Sequence, residues 1–184
     1  MEISFDPFPV LQTMRLRLRR IEENDVNEIY FLRSDERLLQ YLGRSPEKSI
    51  ETAAIFISNI HQQEKKGEGI LWGISVHDNP KIIGTICYWR IVREHFRAEV
   101  GYLLHPEYQG HGYMHEAMEK VIDYGFNTMH LHSIEANVDP QNMASRKLLE
   151  RNHFIKEGCF KENYFYEGKF LDTVVYSRLI RTDN

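Results

Sequence analysis

Cysteine is scarce in this chain: Cys87 and Cys159 are the only two among 184 residues. They stand far apart, so they form neither the close pairs of a zinc site nor the framework of a small disulfide-rich domain. Reduced thiols, and with them a cytoplasmic setting, are expected. No apolar run approaches the roughly 20 residues that cross a bilayer, and no apolar leader heads the chain, so neither a membrane nor export is expected. Repeats and low-complexity tracts are absent. Neither charge sign dominates: 23 Lys and Arg stand against 27 Asp and Glu, a net charge of −4 with the nine His neutral. That balance offers no electrostatic reason for a nucleic-acid partner. What is there is 42% hydrophobic and 27% charged. This is the composition of a folded chain, and the length fits one domain over residues 1–184.

Periodicity divides that domain into strands and helices. Over 14–19 apolar and basic residues alternate, the pattern of a half-exposed strand whose arginines face solvent. Asn24-Asp25 supplies an N-cap for a helix through about Leu39. Ser45-Pro46 opens a second helix, with Ala53, Ala54, Ile57 and Ile60 at helical spacing, until Gly67-Glu68-Gly69 ends it. Runs at 70–76, 82–92 and 97–104 read as an antiparallel meander. A helix from 112 to about 126 follows, with Met114, Ala117, Met118, Val121, Ile122 and Phe126 on one face. Then come a strand at 133–138, a short helix at 143–151 capped by Asn142, and late strands near 154–160 and 173–180. The fold class is mixed α/β: a mainly antiparallel central sheet with one β-helix-β unit, flanked by helices.

Between the third meander strand and the long helix stands Gln109-Gly110-His111-Gly112-Tyr113-Met114. A helix N-terminus offers unpaired N–H groups and the positive end of its dipole to an anion. Gly110 and Gly112 free the backbone for close approach and positive φ. Phosphate is therefore the expected ligand, and spacing excludes two common nucleotide folds. There is no G-x-x-x-x-G-K-S/T segment. His115 stands where G-x-G-x-x-G needs its third glycine.

The stretch from Glu99 to Met118 reads E-V-G-Y-L-L-H-P-E-Y-Q-G-H-G-Y-M-H-E-A-M. It resembles the GNAT acetyltransferase superfamily, whose acyl-CoA turn has the form Q/R-x-x-G-x-G/A. Gln109 and Gly112 match that form, and Met114 departs from it. The longer pattern G-Y-x-L-x-P-x-Y-Q-G-x-G-Y-M resembles the RimJ/RimL branch, which acetylates protein N-termini, notably of ribosomal proteins. Thr13-x-Arg15-Leu16-x-Leu18-Arg19 is similar to the first strand of that branch. Asn137, Asn142, Ser145, Leu149 and Phe154 are similar in spacing to its late strand, helix and strand. Gly158 and Tyr166-x-Gly168-x-x-x-Asp172 are similar to its C-terminal hairpin.

The resemblance implies a GNAT fold whose splayed strands admit the pantetheine of acetyl-CoA as an added strand. It implies that Leu103 and Leu104 supply the strand edge and that the backbone from Gln109 through Met114 cradles the pyrophosphate. Asn142 would bond the pantetheine arm. His111 stands where relatives often carry Lys or Arg, and only its protonated form adds charge. Glu99 is the candidate general base, directly or through water; its alternative role is an ion pair with Arg97 or Arg90. Ser145 is the candidate partner of the departing thiolate, and an N–H near Leu104 the candidate oxyanion donor. Asn137, Tyr164 and Tyr166 are candidate substrate contacts. Tyr164 falls where RimL-like enzymes can carry a loop glutamate, which shifts proton transfer toward Glu99 and water. The implied acceptor is a primary amine, first of all a protein N-terminus. A polyamine, an amino sugar, or a non-catalytic acyl-CoA-binding role are the alternatives, with Glu22, Glu23, Asp25 and Asp35 as acidic candidates for a polyamine pocket. A homodimer is expected from the same resemblance. No metal is expected: His111 and His115 lie four apart, without H-E-x-x-H or further ligands. Cys87, inside an apolar run, reads as a small core residue.

Overall fold

A computed structural model describes residues 3–180. In chain order the elements are β1 (Leu11–Gln12), β2 (Leu16–Arg20), α1 (Val26–Ser34), α2 (Glu36–Leu39), α3 (Ile50–Lys66), β3 (Ile70–Val76), β4 (Asn79–Val92) and β5 (Arg97–Leu104). They continue with α4 (Tyr113–Asn127), β6 (Ser133–Val138), α5 (Met143–Arg151), β7 (Ile155–Tyr166) and β8 (Lys169–Leu179). The strands form one sheet in the order β1-β2-β3-β4-β5-β6-β8-β7. Every neighbouring pair is antiparallel except β5 and β6. That parallel pair is joined through α4, as a parallel connection requires a crossover.

Burial of the two sheet faces explains the layers. On one face Trp72, Tyr88, Val100 and Leu104 cluster with Met114, Ala117, Met118, Val121 and Ile122 of α4. On the other, Ile21 and Ile82 pack with Ile29 and Leu32 of α1 and with Ala53 and Ile57 of α3. Each such large apolar side chain contributes about 1.5–3 kcal/mol when withdrawn from water. Along β5 the period of two turns Val100, Tyr102 and Leu104 to the α4 face. Glu99, Gly101 and Leu103 then face α1 and α3.

Four expectations are corrected. The helix expected from 24 to 39 is broken, because Asp35 leaves helical geometry and its carboxylate accepts from the Arg37 N–H at 3.0 Å, capping α2. Short polar side chains compete with the helix in this way. The helix expected from Ser45-Pro46 begins only at Ile50, capped by Ser49. Residue Glu47 is instead pinned to α1: its N–H donates to the Arg33 carbonyl at 2.9 Å and its carboxylate pairs with the Arg33 guanidinium at 2.8 Å. Ala54 is exposed. The late strands form a longer hairpin, closed at Glu167 and Gly168, both at positive φ. Finally, the arginines around β2 are not simply solvated. Arg19 grips Asp25 through two contacts of 2.8 Å, and Arg15 grips Glu116 of α4 at 2.6 Å.

The Glu116 contact fastens the start of α4. Its carboxylate also accepts from the Arg15 N–H at 2.8 Å and from the Thr13 hydroxyl. Burial opposes its ionisation, but these donors outweigh burial and hold the carboxyl below its ordinary range. A carboxylate lowered in the folded state stabilises above its unfolded pKa, about 4.3, and that contribution is lost as pH falls through the folded value. Glu116→Ala is therefore expected to cost about 1–3 kcal/mol at pH 7. Urea midpoints measured down to pH 3 should show the gap between variant and parent narrowing in acid.

Candidate active site

Strands β5 and β6 share a register from Arg97–Ser133 to Glu99–Glu135 and then part. β5 continues beside β4 and β6 continues beside β8. The gap opens into a cavity of about 1500 Å³, larger than a typical single-ligand site. The His105 N–H donates to the Ile83 carbonyl of β4 at 2.8 Å. Alternation then turns the backbone groups of Leu103 toward β4, and those of Leu104 and Tyr102 toward the gap. In agreement, the Leu103 oxygen lies 2.6 Å from where a Cβ on Gly84 would sit, so glycine alone fits there. The open edge expected from Leu103 and Leu104 is thus carried by Leu104 and Tyr102, with the Leu103 side chain on the cavity wall.

The glycine turn closes one end of this gap. Gly110 and Gly112 both adopt φ of +79°. A Cβ on Gly110 would meet nothing within 4 Å, so conformation rather than space selects glycine there. Gly112 caps α4 without a side-chain bond, which leaves first-turn N–H groups for an anion. Gln109 donates through Nε2 to the Leu104 carbonyl at 3.0 Å, binding the turn to the strand end. Tyr113 and Met114 line the cavity beyond it, whereas His111 is exposed and outside it. The His111 carbonyl accepts from Arg15 Nη1 at 3.0 Å, and the Arg15 guanidinium stacks over the Tyr113 ring at 4.5 Å. The cation nearest the turn therefore comes from Arg15.

Glu99 sits at the last shared position before the strands part and is 6% exposed. Its carboxylate accepts from Arg90 Nη1 at 3.2 Å, and the Asn137 side chain beside it also favours the charged form. Arg97 is elsewhere, paired with Glu135 at 2.9 Å. Arg90 reaches Glu99 from an irregularity in β4 between Trp89 and Val92, where its φ is +46°; such bulges re-aim side chains. Burial pushes the Glu99 carboxyl above its ordinary range, while Asn137 and Arg90 pull it back. Of the two roles expected for Glu99, the ion pair is present, with Arg90 as its partner, and the same side chain lines the cavity.

On the opposite face of β5 the Tyr102 hydroxyl and Ser145 Oγ lie 2.6 Å apart. Asn142 accepts from the Ser145 N–H at 3.0 Å, so it caps α5 while lining the cavity. Burial pushes the Tyr102 hydroxyl up to about 12, against the pull of Ser145, so it carries its proton at neutral pH. Tyr102 was not singled out by the sequence reading; period-two alternation from Leu104 is the signal that points to it. Of the hairpin tyrosines, Tyr164 lines the cavity and donates to the Gly43 carbonyl, bridging β7 to the loop after α2. Tyr166 does not line it. Among the described residues no group of three His, Cys, Asp or Glu could hold a metal ion.

A parted strand edge beside a phosphate-seeking turn fits a coenzyme A thioester, whose pantetheine amides need strand partners and whose pyrophosphate needs N–H donors. Geometry of this kind defines an acyltransferase site. The family model for the acetyltransferase (GNAT) domain matches residues 15–155. The chain belongs to that family and is an acetyl-CoA-dependent N-acetyltransferase. It is similar to the uncharacterized N-acetyltransferase YoaA of Bacillus subtilis, with 37% identity over 92% of this chain and 96% of that one. It is also similar to the spermidine N(1)-acetyltransferase of Vibrio cholerae, with 28% identity over 86% of this chain and 89% of that one. Among solved structures, the ribosomal-protein-S5-alanine acetyltransferase of Vibrio fischeri superposes with a TM-score of 0.80 at 28% identity, covering 93% of this chain and 96% of that one.

Cys87 also lines the cavity, yet burial pushes its thiol up to about 12. A thiol held there is protonated and a poor nucleophile at neutral pH. Alkylation of the native protein with iodoacetamide at pH 7.5 should modify the exposed Cys159 and spare Cys87, as read by peptide mass spectrometry.

Proposed function

We propose that the chain acetylates the α-amine of a protein or peptide N-terminus, by direct attack of that amine on the thioester. One observation carries this reading: Glu99 and the Tyr102–Ser145 pair lie on opposite faces of β5, with the open edge of Leu104 between them. Amide formation from a thioester needs a proton acceptor on the amine side and hydrogen-bond donors for the oxyanion and the thiolate. An acetyl group held at that edge would meet both.

Glu99 takes the proton from the attacking amine, directly or through water. An α-amine has a reference pKa of about 7.7–8.0 and a lysine amine about 10.4, so a carboxylate base suits the former far better. The Leu104 N–H faces the gap and stabilises the oxyanion of the addition step. Tyr102 and Ser145 act as hydrogen-bond donors to the departing thiolate. Full proton transfer from Tyr102 would run uphill, since its hydroxyl is held at about 12 and a free thiol lies near about 8.5. Similarity to the S5-alanine acetyltransferase supports the N-terminal acceptor. A polycation would be better served by an acidic pocket. Glu22, Glu23, Asp25 and Asp35 lie outside the cavity lining, with Asp25 and Asp35 held by Arg19 and Arg37.

Thiol release from acetyl-CoA, measured against N-terminal peptides, polyamines and amino sugars, tests the reading. Peptides should be acetylated at the α-amine, and Glu99→Gln should lower kcat/KM by roughly 10²- to 10⁴-fold. The acid limb of the pH profile should lie above the ordinary carboxylate range. Arg90→Met removes a charge that lowers the Glu99 pKa, so it should move that limb to still higher pH. Bound CoA without thiol release to any amine would contradict the proposal.

A further inference from the structure

Arg44 lines the cavity on the side of α1 and α2, and its Nε and Nη2 atoms are buried without a hydrogen-bond partner among the described residues. The adjacent carbonyl, that of Gly43, accepts from Tyr164, so Arg44 follows directly on the bridge between the α2 loop and the hairpin. Its charged neighbours are Arg33 and Glu47. Glu47 is already committed: its carboxylate accepts from Arg33 Nε at 2.9 Å and meets Arg33 Nη2 at 2.8 Å. Arg33 is further fixed over the Phe56 ring at 3.6 Å. Two guanidiniums thus share one carboxylate, and the second guanidinium is left over.

No carboxylate on the cavity wall makes up the deficit. Glu99 is paired with Arg90 and Asp172 with Lys161, and neither they nor Asp139 acts on the Arg44 charge, whose one carboxylate neighbour is Glu47. A buried charge without a partner is costly, and planar guanidinium matches a carboxylate in two parallel hydrogen bonds. Burial, with the like charge of Arg33, lowers Arg44 to about 10, a strain that an arriving anion relieves. The phosphates of a coenzyme A would sit at the turn before α4, on the other face of β5. Arg44 shares instead the α1–α3 face with Glu99, where the amine must approach.

We propose that Arg44 selects the acceptor, by taking a carboxylate that the acceptor carries near its reacting amine. This rests on the reading of the cavity as an amine acceptor site. The carboxylate has two possible sources: an acidic side chain early in an N-terminal peptide, or the α-carboxylate of a free amino acid.

Paired probes separate the sources. One pair is Ala-Glu-Phe-amide with Ala-Gln-Phe-amide; the other is free alanine with alaninamide. Equilibrium binding in the presence of CoA and thiol release with acetyl-CoA are measured on the full chain, with spermidine as a cationic control. The carboxylate member of at least one pair should bind at least about tenfold more tightly and show a correspondingly lower KM. Arg44→Met should collapse that ratio toward one, and Arg44→Lys should retain part of it. Relieved of an uncompensated buried charge, the Met variant should melt no lower than the parent, which guards against a folding artefact. Equal affinity within both pairs, or a preference that survives Arg44→Met, overturns the proposal. A carboxylate preference in binding without thiol release instead defeats the transferase mechanism and leaves Arg44 as the anion site. Turnover of the neutral or cationic probes alone does the reverse.

Discussion

The site depends on one break in hydrogen bonding. β5 and β6 pair as far as Glu99 and Glu135 and no further, leaving the backbone of Tyr102 and Leu104 facing a gap within an otherwise continuous sheet. Unpaired strand groups away from water are unfavourable unless something bonds them. The chain itself satisfies only part of this need. Gln109 takes the Leu104 carbonyl, and Tyr102 reaches across to Ser145 by its side chain rather than its backbone. A pantetheine arm, extended and rich in amides, would complete the edge. The break also explains why Glu99 is buried yet reachable: it sits where the sheet stops being closed.

Around that break the two sheet faces take different tasks. The α4 face is closed by an apolar stripe, with Met118, Val121 and Ile122 buried. Glu116 fastens its first turn to Thr13 and Arg15. The turn at Gly110 and Gly112 is thereby held at a fixed height above the strand edge, as a phosphate cradle requires. The α1–α3 face is built differently. Its first helical stretch is interrupted at Asp35, its loop after α2 is tied to the far hairpin through Tyr164, and its polar wall carries more guanidinium than carboxylate. In the function proposed above, backbone geometry sets the donor side and side chains set the acceptor side.

How much of this was legible in the sequence follows from where each signal is stored. Helix α4 and the turn before it were readable, because an apolar face and two glycines at positive φ are local features. So was the meander, whose strands alternate between two buried faces. The hairpin was underestimated because Phe160, Phe165 and Phe170 are 61%, 61% and 64% exposed. Aromatics that face solvent on a ribbon with two irregularities show no clean alternation. The break at Asp35 was missed because its side chain caps a new helix instead of continuing the old one. Glu99 was found, but Tyr102 was not, since its partner Ser145 is 43 residues away and only the fold joins them. Likewise the arginines around β2 read as a solvated face until α4 and α1 supplied Glu116 and Asp25.

Residue-resolved amide hydrogen exchange with and without CoA tests the parted edge most directly. The account predicts that CoA slows exchange at the Tyr102 and Leu104 amides and across 110–114, with little change at Leu103, whose N–H is already turned to β4. Saturating CoA that leaves the Tyr102, Leu104 and turn amides exchanging as before would contradict it.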